Sequence, residues 1–504
     1  MPTDGAEFDV IVVGAGSAGC VVARRTADRG ARVLLLEAGG ADTDPAIHDP
    51  RRFGELWFGE RDWAYLTTPQ QDAAGRRLHW PRGKVLGGSS SLNCMIYTRG
   101  AAADYDHWAY LGNDGWSWAD VLPVFKRIED FDAGADQWHG TGGPVPVTTR
   151  YRTDPVHESL IEAAVETGIA YNPDYNTGTP DGVSRVQFTV SGGQRRSAFR
   201  AYLAEADGVT VLTGARVRRL MLEGTRCVGV EWLRDGQVEQ ASCSGEVVLS
   251  AGAIESPRVL MLSGVGDPEH LRSVGIEVRV ALPGVGRNLH DHLLVPVIVG
   301  TGRDPGRPSA GIGPAQTHLF WRSQPGLVVP DVQPLNFPVP MYQPGLAGPP
   351  TGFTMQAGLV RPTSRGTVRL TGADPGDELL IDPAILRTAA DVDTLAAAVT
   401  LCREIGRARV LEKEWDAVEC HPGPGVQSER SLREYLRATV TTYHHQSGTC
   451  RMGTDAEAVV DPRLRVYGVQ GLRVADASVF PSVPTGNTHA PALLVGEQAA
   501  AFMA

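Results

Sequence analysis

The chain has 504 residues, 42% hydrophobic and 21% charged, with 47 basic against 58 acidic side chains and a net charge of −11. That is the composition of a globular protein too long for one ordinary core, so two domains, or one large domain with a cap, are expected. The acidic balance argues against nucleic acid or anionic membrane as partners, which need clustered Lys and Arg, and no run of about 18 apolar residues predicts a membrane span. Met1-Pro-Thr-Asp-Gly leads directly into the first strand, so a secretory signal is not expected and the cytoplasm is the expected compartment. Seven scattered cysteines without a CxxC pair are expected as reduced thiols.

Phe8 to Val13 reads as a buried strand, Ser17 to Asp28 as a helix and Ala31 to Leu36 as a second buried strand. Between the first two lies Gly14-Ala-Gly-Ser-Ala-Gly19. Gly14 permits a tight turn, Gly16 lets backbone approach a pyrophosphate, and Gly19 lets the helix pack closely on the sheet. The helix N-terminus favours an anion without a basic side chain. Glu37, at the end of the second strand, can accept hydrogen bonds from both ribose hydroxyls and would repel a 2′-phosphate, so NADP is disfavoured. These residues leave FAD and NAD both open.

A Gly/Asp/Pro-rich loop follows, then a long segment containing Gly87-Gly88-Ser89-Ser90-Ser91. Its N–H and hydroxyl groups suit an anion, with Asn93 as an amide donor, although such a run taken alone reads as a flexible loop. Val209 to Thr213, Val217 to Leu222 and Val228 to Glu231 read as strands. Glu246 to Pro257 repeats the strand-turn-helix grammar, with the helix begun at Glu255-Ser-Pro, so one sheet is expected to gather distant segments. From Gly302 to Pro362, Pro and Gly become frequent and Phe320, Trp321, Leu335, Phe337, Met341, Tyr342 and Phe353 cluster. Loops or edge strands of a substrate cap are expected there. Gly366 to Thr371 alternates as an antiparallel strand, and Asp391 to Ala408 has helical periodicity with Asp391 as its N-cap.

The C-terminal region holds the candidate chemistry. Tyr443-His-His-Gln-Ser-Gly-Thr449 places two histidines beside a turn, and Gly486-Asn-Thr-His-Ala-Pro491 precedes a terminal helix over Ala492 to Met503, with Thr488 or His489 as cap. Histidine is the side chain best matched to proton abstraction near neutral pH, and asparagine offers a neutral donor to an alcohol oxygen. Taken singly, His444, His445 and His489 read as structural. His290 and His292 could join His445 around a metal, but no ligand spacing supports this and no metal is expected.

Five ordered blocks together resemble the glucose-methanol-choline (GMC) oxidoreductases: Val13 to Gly19 with Glu37, Arg82 to Asn93, Gly252 to Pro257, Leu282 to His292, and the two C-terminal blocks. The resemblance implies an FAD-dependent alcohol oxidase or dehydrogenase of α/β class. A Rossmann-like FAD-binding domain is assembled from discontinuous segments (1–150, 195–300 and 455–504), beside an α+β substrate domain with an antiparallel sheet (151–194 and 301–454). By position it implies Gly14, Gly16, Ser17 and Gly19 for the pyrophosphate, Glu37 and Ala38 for the adenosine ribose, and Val217 for the adenine. Gly88, Ser89, Asn93 and Met95 would line the pyrophosphate and flavin edge, while Asp476 and Ala477 approach the pyrimidine. His445 falls at the family's base and Asn487 at its second catalytic position.

Two departures stand out. Gln446 replaces the family's proline and is expected to loosen the backbone beside the base, which leaves His444 as an alternative. Leu92 stands where some members attach FAD through histidine, so noncovalent FAD is implied. The implied reaction is hydride transfer from a carbinol carbon to flavin N5, with molecular oxygen or another electron acceptor completing the cycle. Few charges lie between Trp321 and Phe353, which favours an apolar or aromatic primary alcohol over choline or a free sugar. The alternative on this fold is a flavin-containing lyase or fatty-acid decarboxylase.

Overall fold

The structure, a computed structural model, describes residues 7–504. Val10 to Val13 carry no polar side chain and are buried on both faces, as a central parallel strand requires. This strand, Glu7–Val13 (β1), is followed by the helix Ser17–Ala27 (α1) and the strand Val33–Leu36 (β2). β1 pairs in parallel with β2 on one side and with the later strand Gln237–Leu249 (β3) on the other. Val209–Leu212 extends the parallel array beyond β2, and Leu472–Val474 pairs in parallel with the end of β3. An antiparallel meander of Arg226–Arg234 and Arg216–Glu223 completes a seven-stranded mixed sheet. Distant segments do build one sheet.

Two glycines set how α1 meets that sheet. Gly14 adopts φ +99°, and a Cβ there would lie 2.5 Å from the Ser250 carbonyl oxygen. A Cβ on Gly19 would lie 1.9 Å from the Gly14 carbonyl oxygen, so the glycine loop closes on itself only because both lack side chains.

The helix after β3, Gly252–Leu262 (α2), starts three residues before the expected Glu255. The Asp476 carboxylate draws it back by accepting from Gly252 N at 2.8 Å and Ser256 Oγ at 2.6 Å. Pro257 inside the helix has no N–H for the Ala253 carbonyl, and Thr449 Oγ1 donates to that carbonyl instead, at 2.6 Å.

The second sheet is antiparallel throughout. Its centre is Leu293–Gly300 (β4), paired residue for residue with Gly352–Leu359 after the intervening strand Leu335–Phe337 (β5), which flanks the latter strand (β6) on its other side. Thr317–Phe320 and Gly182–Arg185 continue beyond β5, while Val418–His421 and Thr441–Thr442 border β4. Leu293, Val295, Val297 and Val299 of β4 and Phe353, Met355, Ala357 and Leu359 of β6 share one core with the helix Ala389–Gly406 (α3). The alternate residues face the opposite way, where Leu294, Leu335 and Phe337 join Tyr443 in a separate cluster.

Four expectations change here. Leu293–Gly300, expected within the 195–300 segment of the cofactor domain, runs at the centre of the second sheet because its partner strand comes some fifty residues later. Gly352–Leu359, expected as loop or edge, is an interior strand buried along its whole length. The α3 cap is Thr388, whose Oγ1 accepts from Asp391 N; the Asp391 carboxylate instead binds the Thr363 and Ser364 amides at 2.7 and 3.0 Å. The terminal helix His489–Phe502 (α4) begins before Ala492, with Pro491 in its first turn. All seven cysteines are free, and no helix among the described residues is long and apolar enough to cross a membrane.

Gly19→Ala forces a methyl group onto the Gly14 carbonyl. Overpacking of this kind costs about 1–3 kcal/mol, and a denaturant melt of the variant against the parent chain measures it.

Candidate active site

The two sheets enclose a cavity of about 1020 Å³. Gly14, Gly16, Ser17, Glu37, Ala38, Gly88, Ser89, Asn93, Val217, Asp476, Ala477, His445 and Asn487 all line it. Gly19 and Met95 do not: Gly19 serves the packing of α1, and Met95 is fully buried in the cluster with Tyr443.

One end of the cavity is built for an anion. α1 has no side-chain cap, so its first N–H groups are unspent, and the Cβ direction of Gly16 is open, with its nearest neighbour 4.0 Å away. The α4 N-terminus is likewise uncapped by a side chain, and Ser17 Oγ meets His489 Nδ1 at 2.9 Å where the two helices converge. Gly88 presses on this loop, since a Cβ there would lie 2.7 Å from Gly16 Cα. The serine run is more internal than its composition indicated. Ser90 Oγ donates to the Gly87 carbonyl at 2.6 Å and Ser91 Oγ to the Leu86 carbonyl at 2.7 Å. Buried Arg195, which sequence reasoning missed, holds the same segment through Ser90 O, Asn93 O and Asn93 Oδ1. Asn93 Nδ2 stays free for the cavity.

Glu37 is fixed by Ala15 N at 2.9 Å and Gly39 N at 2.8 Å. Burial outweighs these donors and raises its carboxyl from the ordinary 4.5 to about 7. The Asp476 carboxylate, expected near a pyrimidine, is spent on Gly252, Ser256 and Ser478 and clasps the start of α2.

At the other end, His445 Nε2 lies 3.3 Å from Asn487 Nδ2. Asn487 Oδ1 accepts from Gln333 Nε2 at 3.2 Å and from Thr98 Oγ1 at 3.5 Å, which turns its amide nitrogen toward His445. On its far side His445 Nδ1 meets His292 Nδ1 at 2.9 Å, a direct imidazole pair. Among the described residues no group of three or more His, Cys, Asp or Glu is arranged to hold a metal. Burial, reinforced by His292, His444 and Arg82, holds the His445 pKa well below 6.5, so the ring is neutral.

The backbone beside His445 is not loosened by Gln446. Gln446 Nε2 donates to Asp291 Oδ2 at 3.1 Å and to Thr442 Oγ1 at 2.9 Å, while His445 N donates to Asp291 Oδ1 at 2.7 Å. His444, at φ +68°, also lines the cavity, but its carbonyl accepts from Arg82 at 2.6 Å and its ring packs 5.0 Å from Trp57. Only His445 of the two pairs with Asn487.

The antiparallel sheet and its loops give the cavity a largely apolar wall that also carries Gln343 and Gln356. Leu294, Leu335, Phe337, Met341 and Tyr342 line it, and no acidic or basic side chain comes from residues 294–356. Phe353 points into the core beneath α3 instead, and Phe320 and Trp321 lie outside the lining.

Family models described as GMC oxidoreductase match residues 8–294 and 362–496. A GMC-type oxidoreductase of Mycobacterium tuberculosis is 41% identical over 98% of each chain. Human mitochondrial choline dehydrogenase is 39% identical over 98% of this chain and 89% of that one. Pyridoxine 4-oxidase from Mesorbium loti superposes with a TM-score of 0.93 at 35% identity over 98% of both chains. Formate oxidase does so with 0.92 at 28% identity, covering 99% of this chain and 98% of that one. The chain belongs to the GMC oxidoreductase family. It is an FAD-dependent enzyme that oxidises CH–OH donors, and its uncapped helix ends, open Gly16 and anchored Glu37 fit that cofactor.

Because Glu37 ionises near 4.5 unfolded and near 7 folded, its contribution to stability is present at low pH and lost as pH rises through that window. Asp291, raised to about 7 by burial, adds a loss of the same sign. Denaturant stability of the apoprotein falls between these pH values, and Glu37→Gln flattens the fall.

Proposed function

We propose that this enzyme oxidises an apolar or aromatic primary alcohol to the aldehyde, with His445 as base and Asn487 as holder of the reacting oxygen. The observation that carries the proposal is the 3.3 Å pairing of His445 Nε2 with Asn487 Nδ2 on the cavity wall. A substrate hydroxyl placed there donates to Nε2 and accepts from Nδ2. Its proton leaves as the carbinol C–H bond is broken, and the amide hydrogen bond prevents charge from building unsupported on oxygen. FAD, when bound, supplies the hydride acceptor at its flavin N5. Tyr443, whose ring stacks 4.7 Å from His445, and Leu294, Leu335 and Phe337 exclude water from this end.

In the same reading the parallel strands, glycine turn and α1 form a Rossmann-like cofactor domain. Gly14, Gly16 and Ser17 face the pyrophosphate, Glu37 and Ala38 the ribose, Val217 the adenine, and Asn93 and Ala477 the flavin. Leu92 leaves no histidine for a covalent link, so FAD is held noncovalently. The substrate domain is the antiparallel sheet with α3, built from the segment that carries Gly182–Arg185 and from a second segment that begins at Leu293 rather than 301. No carboxylate from residues 294–356 lines the cavity, so this wall offers a trimethylammonium group no ionic partner, and molecular oxygen or another acceptor takes the electrons.

His445→Ala purifies yellow but loses about two to four powers of ten in turnover, measured by anaerobic bleaching of the flavin absorbance. A panel of benzylic and long-chain alcohols, choline, pyridoxine and glucose ranks substrates by kcat/KM; best activity on glucose or choline overturns the apolar preference. Since the His445 pKa lies well below 6.5, kcat/KM holds its value as pH falls through 6.5 and declines only at lower pH. A half-maximum at 6.5 contradicts the lowered His445 pKa.

A further inference from the structure

Resting on the reading of His445 as base, we propose that His292 is a positioning residue that fixes the tautomer of His445, leaving Nε2 unprotonated and aimed at the substrate.

His292 closes the segment Asn288-Leu-His-Asp-His292 and is fully buried just before β4. It does not line the cavity, so it touches neither substrate nor cofactor. Its Nδ1 lies 2.9 Å from His445 Nδ1, with the two rings perpendicular at 89°. One proton is shared along this line, and it belongs to one ring or the other.

The hydrogen bonds around Asn487 decide which. Gln333 Nε2 and Thr98 Oγ1 both donate to Asn487 Oδ1, so Asn487 presents Nδ2, a donor, to His445 Nε2. A proton on Nε2 would oppose two donors at 3.3 Å; a lone pair there accepts. The His445 proton therefore sits on Nδ1 and is donated to His292 Nδ1, which must accept. The His292 proton then sits on Nε2, where no hydrogen bond of good geometry is formed but the neighbouring Val360 carbonyl favours a proton.

The partner is neutral, which limits what it does. Burial and Arg361 hold the His292 pKa down to about 3, so His292 orients His445 without taking the proton onward. After His445 has accepted the substrate proton at Nε2, its Nδ1–H still donates to His292. The logic is that of a base oriented by a third group, with an imidazole acceptor in place of a carboxylate.

Three variants test this: His292→Leu removes the acceptor, whereas His292→Gln and His292→Asn retain an amide oxygen. Expected for His292→Leu is a fall in kcat of about tenfold to a hundredfold, the usual cost of losing an orienting partner, with KM little changed. At least one amide variant restores most of the loss. The second readout needs no turnover: two-bond couplings in nitrogen-15 histidine spectra report the Nδ1–H tautomer for His445 in the parent chain and its loss in His292→Leu. Equal impairment in all three variants, unchanged turnover in His292→Leu, or an Nε2–H tautomer for His445 in the parent chain overturns the proposal. If no alcohol reduces the parent enzyme, the oxidation reading fails, while the tautomer spectra still decide the role of His292.

Discussion

The site depends on one buried carboxylate. Asp291 accepts from Thr442 Oγ1, the His445 backbone N–H and Gln446 Nε2, and so ties the residues preceding β4 to the turn that carries the base. Loss of that carboxylate would take an acceptor from three buried donors, and each buried donor left unpaired costs about 1–3 kcal/mol. It also explains how Gln446 occupies a position where the family resemblance implies proline. Rigidity that a fixed φ would supply is supplied instead by two side-chain hydrogen bonds.

Around this clasp, the two sheets divide the work. The parallel half of the first sheet ends in backbone that a ligand can approach: an open glycine, an uncapped helix and a carboxylate already anchored by two amides. The antiparallel sheet offers alternating side chains, one face bound to α3 and the other, with Leu294, Leu335 and Phe337, turned to the cavity. His445 and Asn487 stand where these two surfaces meet. Neutral polar side chains, Gln333, Thr98 and His292, meet the functional ends of His445 and Asn487 and orient them.

Legibility in the sequence followed the range of the interactions. The turn at Gly14 and the strands on either side of α1 could be read because their determinants lie within thirty residues. The start of α2 could not, since Asp476 sets it from more than two hundred residues away. The Pro/Gly-rich neighbourhood of Gly352–Leu359 masked an interior strand whose alternation makes sense only beside β4. Asp391 looked like a cap because local sequence cannot show the Thr363 and Ser364 amides that claim its carboxylate.

By itself the sequence determined a dinucleotide site, because glycine spacing and an acidic strand end are chemical requirements written in residue type, and the order of its motif blocks carried the resemblance that implied FAD and alcohol oxidation. Tertiary structure decided which histidine faces Asn487, what holds it there and which glycine packs instead of binds. Those outcomes turn on distances of about three ångströms between segments far apart in the chain, and only the folded backbone fixes such distances.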